Sequence, residues 1–265
     1  MNQIELQCQK IKQEKRLGIM SHVVVGYPNL EETQKIVLMM ARFGVDFIEL
    51  QIPFSDPVGD GPVIRDANTV ALAQGVKVKD AFELVKKLKQ TDKIQTPLFF
   101  MTYFNIPFSY GLEKFCADSA AIGISGLIIP DYNLDMESRE HFDELCRKHN
   151  LILQRFAGLD SEANRLVAQA KDAGGFIYCF SRRGITGVRP DLDPNLDDYL
   201  GKLKNIFKQP LAVGFGISSG EQIQALKGRA DIAIVGSAFL KSYNEGGLSG
   251  VEDKLKELVS ARDQS

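Results

Sequence analysis

The chain has 265 residues, and its 34 acidic and 32 basic side chains leave a formal net charge of −2. This balance offers no excess positive charge for binding nucleic acid or an anionic membrane surface. The apolar fraction of 44% and the charged fraction of 25% are those of an ordinary soluble globular protein. The length suits a single domain over residues 1–265.

The cysteines and the amino terminus indicate a compartment. The four cysteines form no CxxC pair, and the three histidines show no metal-ligand spacing, which argues against a disulfide framework and a zinc site. Residues 1–16 lack the apolar core of a signal peptide, and no apolar run approaches the ~18 residues of a membrane span. We therefore expect a cytoplasmic protein without a bound metal.

Strand-like and helix-like segments alternate along the chain. A charged, periodic segment over 2–15 predicts a helix before the first strand, and amphipathic patterns predict helices over 30–44, 112–123 and 137–150. Ser218 to Glu221 has the spacing of a capping box at the start of another helix. The strand-like runs are apolar on both faces, as strands of a buried parallel sheet are; they span 22–26, 46–52, 97–103, 125–131, 151–156, 175–181, 210–216 and 231–237.

Eight such strands, alternating with helices and without a linker, predict a (β/α)₈ TIM barrel with an extra N-terminal helix. A doubly wound open sheet is the alternative, because it needs no closure. In both folds the chemistry lies beyond the carboxyl ends of the strands, so the residues at those ends are the candidates for function.

The stretch FIELQIPFSDPVGDGP, residues 47–62, carries three acids in the second strand and the loop after it: Glu49, Asp56 and Asp60. Glu49 lies within the apolar strand itself, and an inward carboxyl near the cavity rim suits a group that both gives and takes a proton. The alternative is that Glu49 points outward and pairs with a basic residue of a helix. Asp60 follows in a loop rich in Pro and Gly, where Asp is also an ordinary turn residue.

Glycine-rich loops follow the last three strands: SRRGITG at 181–187, GFGISS at 214–219 and VGSA at 235–238. The second and third run into helices, and helix N-termini after strands seven and eight of a barrel bind phosphate. The first has the composition of a lid that closes over substrate. No Lys stands at a strand end where a Schiff base would form, so we expect carboxylates to do the chemistry.

Over residues 15–245 these motifs resemble the tryptophan synthase alpha chain family. ELQIPFSDPVGDGP is similar to the family signature E-L-G-x-P-F-S-D-P-x-A-D-G-P, and DANTVALAQGV, SRRGITG, GFGISS and VGSA follow in the family's order and spacing. The resemblance implies a carbon–carbon lyase of tryptophan biosynthesis. It would split indole-3-glycerol phosphate into indole and glyceraldehyde 3-phosphate in a retro-aldol reaction.

The resemblance also implies residue roles. Glu49 would transfer the protons, and Asp60 would accept the indole N–H and stabilise charge on the ring. The implied substrate-binding residues are Tyr178 beside the substrate, Thr186 and Gly187 in the lid, Gly216, Gly236 and Ser237 at the phosphate, and Phe215, Tyr103 and Ile234 around the indole.

A partner is implied as well. The family's alpha chain binds a beta chain that carries pyridoxal phosphate, in an alpha2-beta2 heterotetramer through which indole passes in a tunnel. This chain itself would hold no cofactor. The contact surface would include Pro53, Asp56 and Pro57.

The sequence departs from the family pattern at several positions near the site. His22 stands where an aromatic residue is common, Tyr27 where an Asp is, Gln51 where a Gly is, and Gly59 where an Ala is. QRFAGLDSE, at 154–162, also lacks the family's usual P-T-T/P segment. The departures at Tyr27 and Gln51 motivate one alternative, a weakly catalytic subunit that binds the phosphate ligand and mainly activates the beta chain. A free-standing lyase, active without a beta chain, is a further alternative. Another sugar-phosphate barrel, such as an isomerase, is disfavoured by the acidic loop.

Overall fold

The computed structural model describes residues 1–180, 195–214 and 216–264. Its strands are parallel and lie in one sheet. Their bounds are β1 Gly18–Val24, β2 Phe47–Gln51, β3 Leu98–Met101, β4 Gly126–Ile128, β5 Ile152–Leu153, β6 Arg155–Ala157, β7 Ile177–Phe180, β8 Leu211–Gly214 and β9 Ile232–Val235.

The sheet closes on itself through an interrupted strand. Its order is β5-β4-β3-β2-β1-β9-β8-β7-β6, so β5 and β6 stand at its two ends. Only Gln154 separates them along the chain. The two pieces therefore act as one barrel strand, with β5 paired to β4 and β6 paired to β7. The predicted eight-stranded barrel with an extra N-terminal helix is confirmed.

Helices follow the strands and pack on the outer face of the barrel. A π-helical turn, Lys87–Thr91, continues the fourth helix, and Gly247 has non-helical dihedral angles inside the last. The bounds of the helices are α1 Gln3–Glu14, α2 Leu30–Arg42, α3 Pro62–Ala73, α4 Val78–Lys86, α5 Asn105–Tyr110, α6 Leu112–Ala121, α7 Leu134–Glu140, α8 Phe142–Lys148, α9 Ala163–Ala170, α10 Leu196–Ile206, α11 Gly220–Leu226 and α12 Ser237–Asp263.

Some boundaries differ from the expected ones. The first strand begins at Gly18 rather than at 22, because the Gly18 N–H donates to the Asp231 carbonyl at 2.8 Å and so joins the sheet early. The helix expected over 137–150 is two helices separated by His141, whose φ of 51° breaks the helical path. The capping box lies one residue later than expected, between Ser219 and Gln222.

Helix α1 covers the amino-terminal end of the barrel. Asn2 caps it and also donates through Nδ2 to the carbonyls of Ser125 (2.8 Å) and Asn150 (2.6 Å), which fixes the helix to the strand ends. Ile4 and Phe99 pack so closely over Gly126 that a Cβ there would meet each at under 3 Å. The barrel interior is therefore filled by side chains at this end.

The barrel interior is apolar above this cover. The buried cluster inside the strands includes Ile4, Met20, Phe47, Phe99, Met101, Tyr103, Phe176 and Ile234. A second and larger cluster packs the outside of the strands against the helices. Among the described residues no helix is both long and apolar enough to cross a membrane.

Candidate active site

A cavity opens at the carboxyl ends of the strands, where barrel chemistry is expected. It contains both candidate acids and most of the other predicted site residues. The cavity is lined by His22, Glu49, Gly59, Asp60, Ile64, Met101, Tyr103, Ile128, Pro130, Phe156, Tyr178, Phe180, Gly216, Ile217, Ile234, Gly236 and Ser237.

Glu49 faces into this cavity from β2. Alternate residues of a strand point to the same face, and Phe47, two residues earlier, belongs to the cluster inside the barrel. The Glu49 side chain is 5% exposed, and its Oε1 lies 3.2 Å from His22 Nδ1. Its Oε2 is buried and has no hydrogen-bond partner among residues 1–180, 195–214 and 216–264. The outward orientation considered above is therefore wrong.

Asp60 is held in the same cavity by one neighbour on β2 and another two residues after β3. Its Oδ2 accepts a hydrogen bond from Gln51 Nε2 at 2.7 Å and another from the Tyr103 hydroxyl at 3.2 Å. Burial raises the pKa of Asp60 above its ordinary value, and the charge of Glu49 adds to this effect. The charge of His22 and the two hydrogen bonds oppose the rise without cancelling it.

Tyr103 links this acid to the loop that carries it. The Gly59 N–H donates to the Tyr103 hydroxyl at 3.1 Å, so one hydroxyl connects Gly59 with Asp60. The Tyr103 ring stacks on Phe54 with centroids 5.2 Å apart. Burial and the neighbouring Asp60 raise the pKa of Tyr103, so its hydroxyl keeps its proton and can donate.

Small residues line the opposite side of the cavity. Gly216 has a φ of 94°, which favours glycine. Gly236 directly precedes α12, which begins at Ser237, and the N–H groups at such a helix start are free to bind an anion. Tyr178 and Ile234 also line the cavity, and a Cβ at Gly214 would lie 2.8 Å from the Tyr178 ring. Glycine at 214 thus leaves the room that the Tyr178 ring occupies.

Three predicted substrate-binding residues, Thr186, Gly187 and Phe215, lie outside the described residues. The predicted partner-contact residues occupy the loop after β2. Within it Asp56 is exposed, whereas Pro53 and Pro57 are buried in the chain itself. Val58 is 78% exposed, so Asp56 and Val58 present this loop to solvent.

Two further polar residues belong to the site and were not identified as such from the sequence. His22 and Gln51 appeared there only as departures from a family pattern. The spacing of Glu49 and Gln51 could have indicated that both face inward, because residues two apart on a strand share a face. The position of His22 beside Glu49 depends on the register of β1 with β2, which the sequence alone does not reveal.

The whole chain is similar to proteins of one family. Residues 8–264 match the family model described as tryptophan synthase alpha chain. The tryptophan synthase alpha chain of Desulfotalea psychrophila is 42% identical over 240 residues, which cover 91% of this chain and 93% of that protein. That of Syntrophotalea carbinolica is 38% identical over 92% of this chain and 95% of that protein.

Solved structures show the same similarity. Tryptophan synthase from Mycobacterium tuberculosis superposes with a TM-score of 0.91 at 29% identity, covering 99% of this chain and 98% of that one. The alpha chain from Legionella pneumophila superposes with a TM-score of 0.88 at 28% identity, with the same coverage. Together with the family match and the two sequence relatives, these similarities confirm the family predicted from the motifs. The chain belongs to the tryptophan synthase alpha chain family.

Proposed function

We propose that this chain cleaves indole-3-glycerol phosphate into indole and glyceraldehyde 3-phosphate, as a carbon–carbon lyase acting through Glu49 and Asp60. One observation carries the proposal. Two buried acids and two glycine-containing strand ends, at Gly216 and Gly236, face the same largely apolar cavity. The acids suit proton transfer, the free N–H groups suit a phosphate, and the apolar wall suits an indole ring.

The reaction needs one group that both gives and takes a proton. Glu49 protonates the indole ring carbon that bears the side chain, which breaks its O–H bond and forms a C–H bond. The resulting carboxylate then takes the proton of the adjacent side-chain hydroxyl. As that proton leaves, a carbonyl forms, the carbon–carbon bond breaks, and its electrons return to the ring. Glu49 ends with the proton it had at the start, so no external acid or base is consumed.

Asp60 acts on the ring nitrogen. It accepts the indole N–H and offers negative charge to the positive charge that develops on the protonated ring. Gln51 and Tyr103 both donate to Oδ2 of Asp60, so they set the direction of this carboxyl. Tyr178 lies beside the ring, and Tyr103 and Ile234 contribute to the wall around it. The phosphate binds at Gly216, Gly236 and Ser237. Thr186, Gly187 and Phe215 keep the roles that the family resemblance implies.

The partner and the setting are part of the same proposal. The chain would bind a beta chain that carries pyridoxal phosphate, form an alpha2-beta2 heterotetramer, and hold no cofactor of its own. The loop after β2 would provide contacts, with Asp56 exposed and Pro53 and Pro57 stiffening it. We also propose that residues 1–265 act as one domain and that the protein works in the cytoplasm.

Indole release from indole-3-glycerol phosphate tests the proposal directly. Glu49→Gln and Asp60→Asn should each reduce kcat by roughly a hundredfold or more. Near-wild-type turnover of Glu49→Gln would overturn the assigned chemistry. The assay is run with and without a beta chain. Full activity of the chain alone would favour a free-standing lyase, whereas trace activity that persists with the partner would favour a subunit that mainly activates it.

A further inference from the structure

His22 occupies the position on β1 directly opposite the proposed proton-transfer residue. The β1–β2 register pairs His22 with Glu49, and His22 Nδ1 lies 3.2 Å from Glu49 Oε1. Both side chains are 5% exposed. The imidazole therefore contacts one carboxylate oxygen and leaves the other to the cavity. That other atom, Oε2, is the one without a partner among the described residues.

Gln51 contacts the second acid, Asp60, in a similar way. It lies two residues after Glu49, so both side chains face the barrel interior, and its Nε2 donates to Asp60 Oδ2 at 2.7 Å. The Oε1 of Gln51 and the Nε2 of His22 are both buried without hydrogen-bond partners in the described part of the chain. His22 and Gln51 thus lie between the two acids, and each holds one of them through a single oxygen.

Among the described residues, the charged groups that act on His22 are both acidic. Glu49 faces the ring from β2, and Asp60 faces it from the following loop. The neighbours from the other elements at this end, Gly236 after β9 and Ile64 of α3, are uncharged. Burial by itself lowers the pKa of His22, but Glu49, then Asp60 and the Gln51 amide, outweigh it, so the pKa lies above 6.5. A protonated ring makes its bond to a carboxylate a strong one.

We propose that His22 is a positioning residue of the lyase reaction: protonated His22 fixes Glu49 through Oε1, so that Oε2 is the atom that exchanges protons with the substrate. The inference rests on the proposed function. His22 itself transfers no proton in the reaction. It holds the direction of the carboxyl and stabilises the carboxylate that forms each time Glu49 gives its proton away.

Two substitutions separate the parts of this role. In His22→Asn the amide can still donate to Oε1 but does not titrate, whereas His22→Phe can do neither. We expect kcat of His22→Phe to fall roughly tenfold to a hundredfold, because a buried acceptor loses its donor, with a smaller change in KM. His22→Asn should recover most of that loss. The exposed His141 provides the control, and His141→Asn should match wild type.

The pH dependence of kcat provides a readout that a merely structural role would not move. Wild-type kcat should decline as pH rises through the titration of His22, and the same decline should be missing from His22→Asn. If both His22 variants keep the shape of the wild-type profile, the positioning role is wrong. Wild-type kcat in His22→Phe would overturn it as well.

NMR titration tests the contact without turnover. The protein has only three histidines, His22, His141 and His149, and the His22→Asn spectrum assigns the His22 signal. Its midpoint should lie above 6.5 in wild type and fall in Glu49→Gln. An unchanged midpoint in Glu49→Gln would overturn the pairing even with lyase activity intact. Absence of indole release from wild type would instead overturn the proposed function, so the two failures are distinguishable.

Discussion

Two buried acids, one just before β2 and one in its middle, lie three residues apart, and their surroundings differ sharply. Asp46 directly precedes β2 at the amino-terminal end of the barrel and is 2% exposed. Arg16 donates to both of its oxygens, at 2.7 and 2.8 Å. Gln7 Nε2 (2.6 Å) and the Ile19 N–H (2.9 Å) complete its shell. Asp46 is therefore saturated with donors.

Within the described residues, the Glu49 carboxyl has one polar contact, whereas the Asp46 carboxyl accepts four hydrogen bonds. Oε1 of Glu49 contacts His22, and Oε2 has no partner in the residues that the structure describes. A carboxylate surrounded by donors stabilises the fold and is not available for proton exchange, whereas an under-partnered one costs stability and can react. The comparison indicates that the number of partners, more than burial, distinguishes Asp46 from Glu49, the proposed proton-transfer residue.

The largest expected difference between the two positions is in stability, when Asp46 and Glu49 are each replaced by the corresponding amide. Asp46→Asn should lower the free energy of unfolding by about 3 kcal/mol, because it removes the charge of a buried carboxylate that accepts two hydrogen bonds from Arg16. Glu49→Gln should change it by about 1 kcal/mol or less. Activity should show the reverse order, with Asp46→Asn close to wild type per folded molecule. Urea unfolding followed by circular dichroism measures the first quantity. Equal losses of stability in the two variants would contradict the distinction.

A smaller effect comes from one substitution made at both ends of the barrel. At Gly126, near α1, an added Cβ would lie 2.6 Å from the Phe99 ring and 2.7 Å from Ile4. At Gly59, in the cavity, the contact within the described part of the chain would be with the Tyr103 hydroxyl alone, at 3.4 Å. We expect Gly126→Ala to cost about 2 kcal/mol through overpacking.

Gly59→Ala is the matched variant and should change stability by no more than about 0.5 kcal/mol. Thermal unfolding of the two proteins, measured side by side, provides the test. If Gly59→Ala cost as much as Gly126→Ala, the cavity end would be as tightly packed as the end beneath α1, and the comparison would fail.

The sequence predicted most of the fold and singled out Glu49 and Asp60 as the candidate acids, but it did not predict the residues around them. Periodic apolar segments are local signals, and so is the spacing of Glu49 and Asp60 within one motif. The pairing of His22 with Glu49 depends on strand register, which arises only when two distant segments meet. The interruption of the fifth barrel strand at Gln154 also depends on contacts between distant segments, because β5 pairs with β4 and β6 pairs with β7.

The smallest effect concerns how stability depends on pH at the cavity end. The pKa of His22 is raised above 6.5 in the folded protein. When folding raises the pKa of a group, that group stabilises the folded protein fully at pH values below its pKa in the unfolded chain. This stabilisation is lost as pH rises through its pKa in the folded protein. The free energy of unfolding should therefore contain a component that declines above about pH 6.5. The pKa of Asp60 is also raised, so its contribution to the free energy of unfolding changes over a pH range that begins near its ordinary value of 3.8.

His22→Asn should remove the component above pH 6.5, while His141→Asn, at an exposed position, should retain it. The difference in unfolding free energy between wild type and His22→Asn should thus shrink as pH rises. Urea unfolding at a series of pH values between 6 and 9 measures this slope. A pH-independent difference would mean that Glu49 does not hold a charged imidazole beside it.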